Sequence, residues 1–153
     1  MPDQRIASAA SRPEEYSLVA DVGDVASEDG LTRVVLEGKG RFVVEELRED
    51  GQTGAAEQAR EQGRGRRYEG EMAPERARSV LAQASRFDWA QRFPPRPGIP
   101  DEAIVRWTLR DASGEVATMR AWLRDVEKDP AMSPVLLALR EAVQRATDGV
   151  LFL

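Results

Sequence analysis

The stretch at 103–123, AIVRWTLRDASGEVATMRAWL, constrains the fold more than any other part of the chain. Two runs rich in strand-forming residues flank Asp111-Ala112-Ser113-Gly114-Glu115, a loop that closes a hairpin with Gly114 in the left-handed position. With Asp111 set opposite Glu115, Leu109 meets Ala117, Trp107 meets Met119 and Val105 meets Ala121. Every pair is apolar, and a slip by one residue would turn the whole set to the other face, so the pattern specifies the register. The opposite face carries Ile104, Arg106, Thr108 and Arg110 against Trp122, Arg120, Thr118 and Val116, and reads as half-solvated.

An earlier hairpin follows the same logic. Leu31–Glu37 and Arg41–Leu47 flank Gly38-Lys39-Gly40, which pairs Leu36 with Phe42 and Val34 with Val44. Leu31, Val35, Val43 and Leu47 on its other face are apolar too, as expected of a hairpin central in its sheet. The alternation of Tyr16, Leu18, Ala20 and Val22 reads as a short strand, and 67–72 as a strand completing a meander. Pro74 opens a helix with Ala77, Val80, Leu81 and Ala84 on one face. Phe87, Trp89 and Phe93 then plug the joint between helix and sheet. Ser133 is the expected cap of a second helix, with Pro134 in its first turn, a stripe of Val135, Leu136, Leu139, Ala142, Val143 and Ala146, and Gly149 as its stop. Residues 124–131 read as a charged connector, and the apolar 150–153 as a tail that docks on the core or adds to a sheet edge.

These elements predict an α+β fold: an antiparallel sheet of about five strands (two hairpins plus a meander strand) with two helices on one face. Residues 1–15 read as a flexible amino-terminal arm, and 16–153 as a single domain. The polar segment at 52–67, without a large apolar residue, reads as a mobile loop. Nothing in 1–15 has the apolar length or basic charge of a targeting peptide, and no segment has the roughly 18 apolar residues of a membrane span, so a cytoplasmic protein is expected.

Composition narrows the chemistry. The chain contains neither histidine nor cysteine. The commonest general base, the commonest nucleophilic thiolate and the commonest zinc ligands are therefore missing, and no metal or other cofactor is expected. A net charge of −5 opposes nonspecific attraction to nucleic acid or anionic membrane, so neither is expected as a partner. Only Lys39 and Lys128 are lysines among 22 basic residues. The arginine excess suits contact with carboxylates and aromatic rings, and it also follows from a GC-rich genome.

Several local patterns have a chemical and a structural reading. Glu45, Glu46, Glu49 and Asp50 at one strand end, and Asp101 and Glu102 before another, could supply an acid–base pair, but solvated strand ends ordinarily carry such residues. Gly63-Arg64-Gly65-Arg66-Arg67 could grip a phosphate; it matches no nucleotide-binding fingerprint and is flanked by Glu57, Glu61, Glu69 and Glu71, as in a solvated loop tip. The segment PPRPGIP at 94–100 has the look of a polyproline ligand, but its place between two packed elements favours a rigid connector. Arg106, Arg110, Arg120 and Trp122 combine residue types enriched where proteins meet proteins, and are the candidate partner-binding residues; the alternative is a sheet face covered by a helix.

The order of elements from Leu31 to Thr147 resembles that of the emfourin family of small bacterial proteins. The likeness rests on the hairpin VVLEGKGRFVVEEL, the helix opening at Pro74 with Leu81 inside it and the Phe87/Trp89 joint. The hairpin VRWTLRDASGEVATMRAW and the closing helix at PVLLAL continue it. The segment at 52–67 and the amino-terminal arm depart from the pattern. The resemblance implies a compact α+β inhibitor of a neutral metallopeptidase acting by occlusion, and assigns no individual residue a role. The function expected from the sequence is thus a non-catalytic protein-binding module (an inhibitor, immunity-like or adaptor protein) whose partner is another protein such as a peptidase or toxin. A structural subunit of a larger assembly and a carboxylate-dependent enzyme are the alternatives.

Overall fold

In the computed structural model, the described residues are 4–24, 31–47, 66–91, 103–149, 151 and 153. Six strands form one antiparallel sheet: β1 (Ser17–Asp24), β2 (Leu31–Glu37), β3 (Arg41–Leu47), β4 (Arg67–Glu71), β5 (Ala103–Asp111) and β6 (Gly114–Trp122). Their order is β4-β3-β2-β1-β5-β6. The fold is α+β. The short strand at the amino-terminal side is a full member of the sheet, which accounts for six strands rather than about five. It lies between β2 and β5, where Leu18, Val19 and Ala20 are almost wholly buried.

The apolar pairs that set the hairpin registers are all present. Leu36 faces Phe42 and Val34 faces Val44; Leu109 faces Ala117, Trp107 faces Met119 and Val105 faces Ala121. At the tip of the second hairpin the pairing shifts: Asp111 stands opposite Gly114 and Arg110 opposite Glu115, with an irregularity between Leu109 and Arg110. The extra residue on β6 is Val116, between Glu115 and Ala117, and it packs against the core, while Gly114 holds the turn with φ of 119°. Asp111 closes that turn by accepting a hydrogen bond from the Ser113 amide at 2.8 Å.

The helices are α1 (Gln4–Ser11), α2 (Pro74–Ala84), α3 (Leu123–Lys128) and α4 (Met132–Ala146), with a short 3-10 turn at Pro13–Glu15. Their buried side chains, among them Ala9, Leu81, Val126, Leu136 and Leu139, share one core with Leu18, Leu36, Phe42, Val105, Trp107 and Leu109. All four described helices therefore cover the same face of the sheet. Phe87 sits at the joint after α2, its ring edge-on to Trp107 with centroids 5.1 Å apart and 5.5 Å from Trp89. Phe93, the third residue expected there, lies outside the described residues, as do 94–100 and 52–65.

Three expectations need correction. The expected flexible arm holds α1, whose Ala9 is fully buried. Ala9, with the partly buried Ile6 beside it, seats this helix on the core, and Arg5 anchors it to the tip of the second hairpin through Asp111 Oδ2 at 3.3 Å. The Ser113 hydroxyl, helped by Arg5, holds the Asp111 carboxyl below its ordinary range. The charged connector after β6 contains α3, because Val126 is buried and pins a helical turn to the core. Ser133 is not the cap of α4. The helix starts after Ala131, and Asp129, two residues ahead of that position, accepts hydrogen bonds from the backbone of Ala131 at 2.8 Å and Met132 at 3.0 Å. At the carboxyl end, Leu151 docks on the core and its amide donates to the buried Thr147 hydroxyl at 3.1 Å. Among the described residues no helix is long and apolar enough to cross a membrane.

Candidate functional site

Because side chains alternate along each strand, the face turned away from the helices is set by the same registers that build the core. One row of that outer face crosses all six strands: Arg67 on β4 stands opposite Glu45, Glu45 opposite Arg33, Arg33 opposite Asp21, Asp21 opposite Arg106, and Arg106 opposite Arg120 on β6. Charge alternates across the first five positions and ends in two cations side by side. The next row reads Glu69, Val43, Val35, Val19, Thr108 and Thr118, an apolar middle flanked by polar ends. Arg110 lies one row further, four residues along β5 from Arg106.

Asp21 is the pivot of the charged row. Its side chain is 6% exposed and accepts from Arg33 Nε at 2.7 Å and Nη2 at 3.4 Å. That hydrogen bond raises the Arg33 pKa further, against the lowering effect of partial burial. Replacing Asp21 with alanine leaves Arg33 and Arg106 facing each other across the gap without the intervening anion. Because Arg33 is 36% exposed, the expected cost is moderate, about 1–2 kcal/mol in urea unfolding, with Asp21→Asn losing less because its amide oxygen still accepts from Arg33. An unchanged unfolding midpoint for D21A would show that the pair holds nothing together.

Of the sequence-derived candidates, Arg106, Arg110 and Arg120 are exposed and share the outer face. With Arg33, they surround a shallow depression of about 410 Å³ over Asp21, Thr108 and Thr118. The two threonine hydroxyls lie 3.3 Å apart, and Thr118 also donates to the Trp107 carbonyl, so the sheet supplies these polar groups with partners of its own. Arg106 and Arg110 make no ion pair among the described residues. Trp122 lies at the end of the same face but is only 9% exposed, so it offers a partner little ring surface. The acidic half of the face is internally neutralised: Arg41 and Arg67 both reach Glu69, at 3.0 and 3.1 Å, and Arg67 also lies 3.8 Å from Glu45.

No protein-family model matches the chain, and no curated protein matches it by sequence. Among the described residues, no three carboxylates converge in a group able to hold a metal ion. Of the carboxylates considered for acid–base work, Glu45 belongs to the charged row, while Glu49, Asp50, Asp101 and Glu102 lie outside the described residues. A second groove, of about 480 Å³, runs between β4 and α4 over Phe42, Met72 and Ala142, beside an Arg76–Glu141 ion pair.

Sequence reasoning found the arginines of β5 and β6 but missed Asp21 and Arg33. Each is the one charge in the interior of its strand, SLVADVGD and LTRVVLE, whose other charges, Asp24 and Glu37, stand at the last position, and that interruption is the available signal. Joining them to Arg106 required knowing that β1 lies between β2 and β5.

Proposed function

We propose that the chain is a non-catalytic protein-binding module of the cytoplasm that acts by surface occlusion, as an inhibitor, immunity-like or adaptor protein. The observation that carries this reading is the cluster of Arg106, Arg110 and Arg120 on the sheet face opposite all four helices. A sheet face that bears exposed arginines and is covered by no helix among the described residues resembles a contact surface more than a catalytic cleft, which would bring acid and base side chains together. The likeness to the emfourin family makes a neutral metallopeptidase the first target class to assay.

The alternative, a structural subunit joined to its neighbours by the arm and the tail, is favoured less. Both segments are engaged within the chain, α1 through Ala9 and the tail through Leu151.

The test is the double charge reversal Arg106→Glu and Arg110→Glu. Both side chains are exposed, but the new carboxylates would stand opposite Asp21 and Glu115, so circular dichroism should show a folded protein whose melting temperature is lower by several degrees, while capture of the native partner from lysate falls by about tenfold or more. Undiminished capture by the folded variant would eliminate this face as the contact surface.

A further inference from the structure

Building on the reading of the outer face as a contact surface, we infer that it recognises an acidic polypeptide segment lying extended along β5, with carboxylates directed at Arg106 and Arg110. The chain is acidic as a whole, at −5, yet its β5–β6 surface presents Arg106, Arg110 and Arg120 together, with Arg106 directly opposite Arg120. Arg106 and Arg110 are exposed and make no ion pair among the described residues, so their charge is available to an anionic ligand. Guanidinium groups match carboxylates by forked hydrogen bonding.

Spacing selects the ligand. Arg106 and Arg110 are four residues apart on one strand, a separation of about 13 Å at the usual strand rise. An extended peptide repeats its same-side positions with the same period, so acidic residues at alternate positions would reach both arginines. The position between them would lie over Thr108. The depression itself is less suited to a compact anion, because Asp21 lies on its floor and Glu115 on its wall. A phosphate backbone carries a charge at every residue, so more of it would meet those carboxylates than of a peptide with neutral residues between its acidic ones.

The test uses a short fluorescein-labelled peptide of alternating glutamate and alanine, its glutamine counterpart, and an oligothymidylate, titrated by fluorescence anisotropy against the full chain. The glutamate peptide should bind saturably, with affinity falling as salt is raised, and the glutamine peptide should bind at least about tenfold more weakly. Arg106→Ala with Arg110→Ala should weaken the glutamate peptide by about tenfold or more. Arg106→Gln with Arg110→Gln, which keeps much of each side chain's length, should do the same, and circular dichroism would verify that both variants are folded. Equal binding of the two peptides, undiminished binding by both variants, or tighter binding of the oligothymidylate would overturn the inference. If the glutamate peptide does not bind but charge reversal still removes the native partner, this inference fails and the contact-surface reading stands. If native capture also survives charge reversal, both fail.

Discussion

Replacing Trp107 with alanine should lower the unfolding free energy by about 3–5 kcal/mol and the melting temperature by roughly 10 °C. Trp107 is wholly buried at the centre of β5, paired with Ala20 on one side and Met119 on the other, and its indole receives the edge of Phe87. Truncation would open a cavity between sheet and helices that neighbouring side chains on well-formed strands fill only in part. Trp107→Phe separates packing from polarity. The indole Nε1 has no hydrogen-bond partner among the described residues, so losing it forfeits no bond, and phenylalanine keeps an aromatic partner for Phe87. The phenylalanine variant should therefore lose less than half as much as alanine in urea unfolding. A cost below about 1 kcal/mol for W107A would contradict the packing described for this core.

A glycine series on the hairpin turns should give the next largest effect. A Cβ at Gly38 would fall 1.6 Å from the Pro13 carbonyl oxygen, inside the 3-10 turn that packs beneath β2 and β3. Gly40 adds a second constraint, because its φ of 112° is unfavourable for alanine and its Cβ would lie 2.3 Å from the Met72 carbonyl oxygen. Backbone has to move in both cases, so Gly38→Ala should cost about 2–4 kcal/mol and Gly40→Ala about 3 kcal/mol or more. Gly114 is the control: its φ of 119° is equally unusual, but a Cβ there meets nothing within 4 Å. Gly114→Ala should cost only the conformational share, about 1–2 kcal/mol. If all three variants unfolded at the same denaturant concentration, the close approach of Pro13 and Met72 to this hairpin would be refuted.

Local patterns in the sequence were good guides wherever a short range decided the outcome. Both hairpin registers follow from apolar pairs such as Leu36 with Phe42 and Trp107 with Met119, since only one alignment keeps each pair on one face. Helix α2 follows from Pro74 and the spacing of Ala77, Val80, Leu81 and Ala84. The misses arose where remote partners decided. The composition of Gln4–Ser11 gives no apolar stripe long enough to require burial, and its order comes from Ala9 packing on the core and from Arg5 reaching a hairpin tip far along the chain. Asp129, rather than the expected Ser133, serves the start of α4 because its carboxylate lies near the amides of Ala131 and Met132. The candidate arginines were legible because alternation alone places Arg106, Arg110 and Arg120 on one face of a hairpin. Their setting beside Asp21 and Arg33 was not, because it depends on sheet order.

The central place of β1 has a consequence for synthesis. Its first partner, β2, follows directly in the chain, but its second, β5, is translated only after β3, β4 and α2. Until then the nascent chain exposes one long unsatisfied ladder of amides and carbonyls on a very apolar strand, the circumstance in which chains cross-pair on crowded ribosomes. Closing the sheet late, by contacts distant in sequence, also predicts slow refolding for a protein of this size.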